Sequence, residues 1–63
     1  MNLAKLKGLR VEKGLTQKEF ADAIGMPLST YCSKEQGKSD FKVEEVNIIC
    51  AFFQVESKIF FEQ

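Results

Sequence analysis

The fold is decided by residues 16–37, which read TQKEFADAIGMPLSTYCSKEQG. Thr16 and Glu19 have the S/T-x-x-E spacing of a capping box. In that motif the Thr16 hydroxyl accepts the backbone N–H of Glu19, and the Glu19 carboxylate accepts the backbone N–H of Thr16. Leu15 before the cap and Phe20 at the fourth helical position fit a hydrophobic staple. These signals predict a helix that begins at residue 17.

The same stretch predicts a second short helix after a tight turn. The helix that begins at residue 17 is predicted to extend to residue 24, and its apolar side chains at spacing i, i+1 and i+4 lie on one face. Gly25 ends this helix, because glycine accepts a left-handed backbone without steric cost. The next helix is predicted over about residues 28–36, and Gly37 closes it.

This arrangement resembles the helix-turn-helix of the Cro/lambda-repressor-like family, often called Xre-type. The matching residues are Gly14-Leu15-Thr16-Gln17, Phe20-Ala21, Ile24-Gly25-Met26, Ser29-Thr30 and Glu35-x-Gly37. The resemblance extends over about residues 3–61. It implies an all-α fold, a compact bundle of about five short helices with the helix-turn-helix in helices 2 and 3. We expect a single helix-turn-helix domain over residues 1–63, a length that suits one small domain.

Two further helices are predicted from apolar spacing. The first covers about residues 2–13 and is capped by Asn2; Arg10 is expected among its largely outward charges, although it could take the place of Leu9 in the apolar stripe. The fourth begins at residue 41 or 43 and ends near residue 53, and Asp40 is a candidate cap. Its core stripe is predicted to contain Val43, Val46, Ile49, Cys50 and Phe53. A last short helix is expected within residues 55–62.

The charge distribution favours a nucleic-acid partner, although the formal net charge is zero. Residues 1–42 carry eight basic and five acidic side chains, whereas residues 43–63 carry one basic and four acidic. The basic excess therefore coincides with the helix-turn-helix.

The residue types in the chain predict no metal or cofactor site, no membrane-spanning segment and no catalytic site. The chain has no His, and its two cysteines, Cys32 and Cys50, lie far apart, so no Cys/His metal site is expected. No segment approaches the ~20 apolar residues that span a bilayer, and residues 1–8 lack the apolar core of a signal peptide. Neither cysteine has an adjacent activating base. We expect no cofactor, no enzyme activity, a soluble cytoplasmic protein and reduced cysteines.

The resemblance implies that the third helix enters the major groove of double-stranded DNA. Its outward face is expected to carry short or apolar side chains, while Lys34 must lay its stem on the core and send its ammonium to solvent or to a phosphate. Because of Pro27, the first residue of this helix is predicted only to within one or two positions, and Ser29 is an alternative N-cap. The predicted DNA-binding residues are Gln17, Lys18, Leu28, Ser29, Thr30, Ser33, Lys34, Lys38, Ser39 and Lys42.

The C-terminal part is richer in apolar side chains than one core requires. Ile48 and Phe52 lie on a second face of the fourth helix, and residues 59–61 cannot all face the same core. The resemblance implies a symmetric homodimer formed by this part, with Ile48, Phe52, Phe60 and Phe61 in its interface. Two functions follow as alternatives: a sequence-specific DNA-binding regulator acting as a repressor, or a module that binds a protein partner through its C-terminal helices.

Overall fold

The computed structural model describes residues 1–62. The elements in chain order are α1 (Leu3–Glu12), α2 (Gln17–Ala23), α3 (Leu28–Glu35), α4 (Val43–Phe53) and a 3-10 helix, η1 (Ser57–Phe60). No strand occurs among the described residues, so the all-α prediction is confirmed. The last predicted helix is a single 3-10 turn. Among the helices over residues 1–62, none combines the length and the apolar content needed to cross a bilayer.

The first two helices begin where the capping residues predict. The side chain of Asn2 accepts the backbone N–H of Lys5 at 3.0 Å. At α2 both hydrogen bonds of the capping box form, at 3.1 Å from the Glu19 N–H to Thr16 Oγ1 and at 2.9 Å from the Thr16 N–H to the Glu19 carboxylate. These bonds satisfy N–H groups that have no partner inside the helix.

A tight turn joins α2 to α3. Gly25 has φ of +73°, which glycine adopts without a Cβ clash. The backbone N–H of Met26 donates to the Ala21 carbonyl at 2.9 Å, which satisfies one of the last carbonyls of α2. Pro27 occupies the N-cap of α3 without a side-chain hydrogen bond, and α3 starts at Leu28. The helix therefore does not slip to Ser29.

The core lies where all four α-helices and η1 meet. Phe20 of α2 is at its centre, with ring centroids of Tyr31, Phe52 and Phe53 at 5.3, 5.2 and 5.2 Å. The buried apolar residues are Leu6, Phe20, Ala21, Ile24, Met26, Tyr31, Val46, Ile49, Cys50, Phe53 and Phe60. Cys32 and Cys50 are both free thiols.

Three sequence predictions about the helices are wrong. Val43 is 76% exposed, because it is the first residue of α4 and faces a surface cleft instead of the core. Asp40 is exposed in the loop, and Lys42 holds the N-cap position of α4. Arg10 is buried, because Glu35 of α3 supplies a counter-charge inside the protein.

Candidate nucleic-acid interface

The third helix has one buried face and one open face. Tyr31, Lys34 and Glu35 are its buried residues. Ser29 is exposed and Ser33 is half-buried. Because residues at i and i+4 lie one above the other on a helix, these two serines form a line along the side opposite the core. Both were predicted to face outward.

One further residue, Gln36, belongs to this line and was not predicted to bind DNA. Gln36 follows Ser33 by three positions and Ser29 by seven, so it continues the same open face, and its side chain is exposed. The signal was present in the sequence as a spacing of i, i+4 and i+7. It became usable only once the first turn of α3 was fixed at Leu28. An amide side chain at this place adds a group that can both donate and accept hydrogen bonds.

The remaining predicted residues of α3 lie at the edges of the open face. Leu28 is 40% exposed and Thr30 is half-buried. Thr30 precedes Lys34 by four residues and therefore shares its flank. Leu28 precedes Cys32 by four residues and shares a flank of α3 with it. Cys32 is half-buried and was not among the predicted DNA-binding residues.

The structure does not bring Lys34 to the open face, so the predicted contact of its ammonium with a phosphate has no support from the DNA-free protein. Its residue is 7% exposed. Its ammonium lies 2.5 Å from Oε1 of Glu45 and 5.9 Å from the centroid of the Phe41 ring. The cation is thus neutralised inside the fold. Burial raises the pKa of the Glu45 carboxyl, but the hydrogen bonds from Lys34 and from the Lys42 backbone outweigh it, and the net pKa lies below the usual range.

The loop after α3 carries the free cations. Lys38, Ser39 and Lys42 are all exposed. Neither lysine forms an ion pair with any residue from 1 to 62. Lys18 on α2 is exposed as well, paired with Asp22 at 2.9 Å. An exposed pair of this kind is weak, so the lysine can exchange its partner at little cost.

Gln17 connects this surface to the interior. It is the first residue of α2 and is half-buried. Its Nε2 donates to Oε1 of Glu35 at 3.0 Å. The other carboxylate oxygen of Glu35 accepts hydrogen bonds from Arg10 Nε, at 3.0 Å, and from the Tyr31 hydroxyl. The side chains of three helices therefore converge on one buried carboxylate.

The surroundings of Glu35 keep its carboxylate ionised. Burial alone raises the pKa of a carboxyl group, because it disfavours the charged form. Hydrogen bonds from Tyr31, Arg10 and Gln17 act in the opposite direction and are larger together, so the pKa of Glu35 lies below its usual value. The pKa of Tyr31 is raised strongly, first by burial and then by its bond to Glu35.

The predicted dimer residues do not form one surface. Phe60 is 1% exposed and belongs to the core, so its placement in an interface is wrong. Ile48 and Phe52 are 48% and 38% exposed and lie on one face of α4. Phe61 is 58% exposed but lies elsewhere, in a cleft.

The cleft has a volume of about 190 Å³ and an apolar floor. Its lining residues are Phe41, Val43, Val46, Asn47, Ser57 and Phe61. On α4 the rim residues Val43 and Asn47 are about 140° around the helix axis from Ile48 and Phe52, at ~100° per residue. Within residues 1–62, two separate exposed apolar surfaces therefore lie beside α4.

Comparison with known proteins identifies the architecture. A family model described as helix-turn-helix matches residues 6–60. The chain is 38% identical over 52 residues to the cryptic phage CTXphi transcriptional repressor RstR of Vibrio cholerae. That alignment covers 82% of this chain and 47% of the relative, so the chain spans about half the length of the protein it matches. No solved structure gives a significant match.

The matched region contains α2, the Gly25 turn and the open face of α3. It also contains the Arg10–Glu35 pair that holds these elements together. The chain therefore belongs to the helix-turn-helix family of Cro/lambda-repressor-like, Xre-type proteins.

Proposed function

We propose that this protein is a sequence-specific double-stranded DNA-binding regulator that represses transcription and has no enzyme activity. The observation that carries the proposal is the open face of α3. Ser29, Ser33 and Gln36 lie in line on it, and the free cations Lys38 and Lys42 follow in the next loop. Hydroxyl and amide groups can read base edges in a major groove, and lysines can neutralise phosphates. The name of the Vibrio cholerae relative supports repression.

The remaining predicted contacts fit a complex in which the open face of α3 is directed toward the DNA. Gln17, Lys18 and Ser39 flank α3 and would face the DNA backbone or the groove edge. Leu28 can contact a thymine methyl group, and Thr30 stands at the edge. We propose that the protein binds DNA in the cytoplasm and without a cofactor.

We propose further that the active species is a symmetric homodimer formed at the cleft. Val43 and Phe61 are its most exposed apolar residues. Val43 directly follows Lys42, so an interface at the cleft continues into the loop that carries the free cations. Two recognition helices of such a dimer meet successive major grooves ~34 Å apart.

The experiment is a selection from a random duplex pool at low salt, followed by sequencing of the retained DNA. We expect an inverted repeat whose half-sites are about one helical turn apart. Affinity for the selected duplex should fall steeply with salt, because bound lysines release counterions. Ser33→Glu should abolish binding, since it places a carboxylate against the DNA. Ala4→Glu, at an exposed position of α1, is the matched control and should bind normally.

Two results would contradict the proposal. One is that the folded protein enriches no sequence above the background of the pool. The other is equal binding by the Ser33→Glu and Ala4→Glu variants, because the open face of α3 would then not contact the DNA.

A second candidate function rests on the other apolar surface. Ile48 and Phe52 stay exposed if the dimer forms at the cleft, and an exposed apolar strip of this kind is typical of protein interaction sites. A module that binds a protein partner there is compatible with DNA binding. Ile48→Lys would then abolish partner binding and leave the affinity for DNA unchanged.

A further inference from the structure

The side-chain amide of Gln17 has a fixed orientation. An ionised carboxylate only accepts hydrogen bonds, so the amide nitrogen of Gln17, and not its oxygen, must face Glu35. The Nε2 to Oε1 distance of 3.0 Å agrees with this assignment. A flipped amide would bring two acceptors together inside the protein. Gln17 therefore cannot exchange its donor and acceptor ends as a solvated glutamine does.

The carboxylate that holds Gln17 is itself buried and held by hydrogen bonds. Arg10 Nε and the Tyr31 hydroxyl donate to its Oε2, Arg10 Nη2 also donates to Oε1 at 3.5 Å, and the Glu35 side chain is only 5% exposed. The backbone at the start of α2 is held by the same cluster, because Nη1 of Arg10 donates to the Leu15 carbonyl at 2.6 Å. Both the main chain that leads into Gln17 and its amide are thus positioned from the interior.

This orientation decides what the amide can still offer. One N–H is used by Glu35, which leaves Oε1 and the second N–H free. A phosphate has only acceptors and can use only the free N–H. The major-groove edge of adenine presents a donor, the N6 amino group, beside an acceptor, N7, and so matches both free groups of an amide.

We propose that Gln17 reads an adenine at the edge of each half-site, with Glu35 as the positioning residue that holds its amide in the reading orientation. This inference rests on the proposed DNA-binding function. It assigns base recognition to a residue of α2, in addition to the open face of α3.

The test uses the duplex recovered by selection, with 7-deazaadenine placed at one adenine at a time. This analogue lacks the N7 acceptor. In the wild-type protein we expect one adenine per half-site at which the analogue weakens binding about five- to tenfold, as loss of half of a bidentate contact predicts. In Gln17→Ala the penalty at that adenine should disappear, while penalties at other positions remain.

The role of Glu35 is tested with Glu35→Gln, whose neutral amide can present either end to Gln17. In this variant, the ratio of the affinities for the adenine duplex and the analogue duplex should fall toward one. Glu44→Gln is the matched control: it makes the same change at an exposed carboxylate of α4 that does not contact Gln17, so it should retain the discrimination. The proposal is overturned if Gln17→Ala weakens all duplexes equally and lowers the salt slope by about one, the pattern of a phosphate contact.

A second measurement covers the case in which Glu35→Gln does not fold. Hydrogen exchange of side-chain amides in the wild-type protein should be slower for Gln17 than for the exposed Gln36. Equal exchange rates would overturn the fixed orientation. If the wild-type protein retains no DNA sequence, the proposed function fails, whereas slow exchange at Gln17 would still establish that Glu35 holds its amide.

Discussion

Arg10 and Glu35, 25 positions apart in the chain, form an ion pair inside the protein. Nε of Arg10 lies 3.0 Å from Oε2 of Glu35, and the two side chains are 8% and 5% exposed. The pair joins α1 to α3 beneath the surface that we propose to bind DNA. Because each charge has only the other and a few hydrogen bonds to replace water, the energetics of the pair are those of a buried ion pair.

Removal of one partner of this pair should be costly. Arg10→Met leaves the Glu35 carboxylate without a cation, and we expect the free energy of unfolding to fall by about 3–5 kcal/mol. That loss is comparable with the whole stability of a small domain. Urea denaturation followed by circular dichroism measures it. The double variant Arg10→Met/Glu35→Leu should recover part of the loss, since no buried charge remains, and a single variant within ~1 kcal/mol of wild type would contradict a buried pair.

Stability should decline at both ends of the pH range. The pKa of Glu35 is lower in the folded protein than its ordinary value of 4.5, so the unfolded chain takes up its proton first. Stability from this group is complete above pH 4.5 and is lost as the pH falls toward the folded pKa. The pKa of Tyr31 is raised from 10.0, so the unfolded chain ionises first and stability falls as the pH rises above 10.

Thermal unfolding over a pH series checks both limbs. Tyr31→Phe should be less stable than the wild-type protein at neutral pH, because it lacks one hydrogen bond to Glu35, but its alkaline decline should be smaller. An identical alkaline decline in both proteins would assign that limb to other groups.

Salt dependence should separate two lysines, Lys34 and Lys38, that were both predicted to bind DNA. Lys38→Met should weaken DNA binding and lower the salt slope by about one, because an exposed free cation is lost. Lys34→Met should leave the salt slope unchanged, because the Lys34 ammonium is bound to Glu45. Filter-binding isotherms at several salt concentrations measure both slopes. A reduced slope for Lys34→Met would show that this cation leaves Glu45 and binds a phosphate.

The cleft and the Ile48–Phe52 surface should differ in their effect on assembly. Val43→Lys should weaken dimer formation, since it places a charge in the proposed interface. Ile48→Lys is the matched control on the other surface and should leave the sedimentation coefficient unchanged. Analytical ultracentrifugation over a concentration series distinguishes the two. If Ile48→Lys dissociates the dimer and Val43→Lys does not, the interface lies on the Ile48–Phe52 surface instead of at the cleft.

The end of α4 offers a stabilising change. Gln54 has φ of +57°, a left-handed conformation that costs a residue with a Cβ ~1 kcal/mol. Gln54→Gly should raise the free energy of unfolding by about 0.5–1 kcal/mol, because glycine relieves this strain. Gln54→Ala keeps the Cβ and is the control, with no expected gain. A destabilised glycine variant would mean that the Gln54 side chain makes a stabilising contact.

Local signals in the sequence were sufficient for the helices themselves. The capping box at Thr16 and Glu19 and the glycine at position 25 gave α2 and the turn within one residue of their observed bounds. Such signals work because they satisfy N–H and carbonyl groups, or relieve backbone strain, within a few residues of one chain segment. The family marks in residues 14–37 then predicted how α2 and α3 are arranged.

Only the tertiary structure decided where the charges lie. Arg10 and Lys34 read as surface residues because a cation is costly to bury, and each is buried because a distant carboxylate, Glu35 or Glu45, reaches it. The exposure of Phe61 and the burial of Phe60 were likewise set by packing of η1 against α1 and α4. The sequence by itself determined the helices and their family, since these depend on neighbouring residues. The buried cations Arg10 and Lys34, the held amide of Gln17 and the two apolar surfaces depend on contacts between residues far apart in the chain.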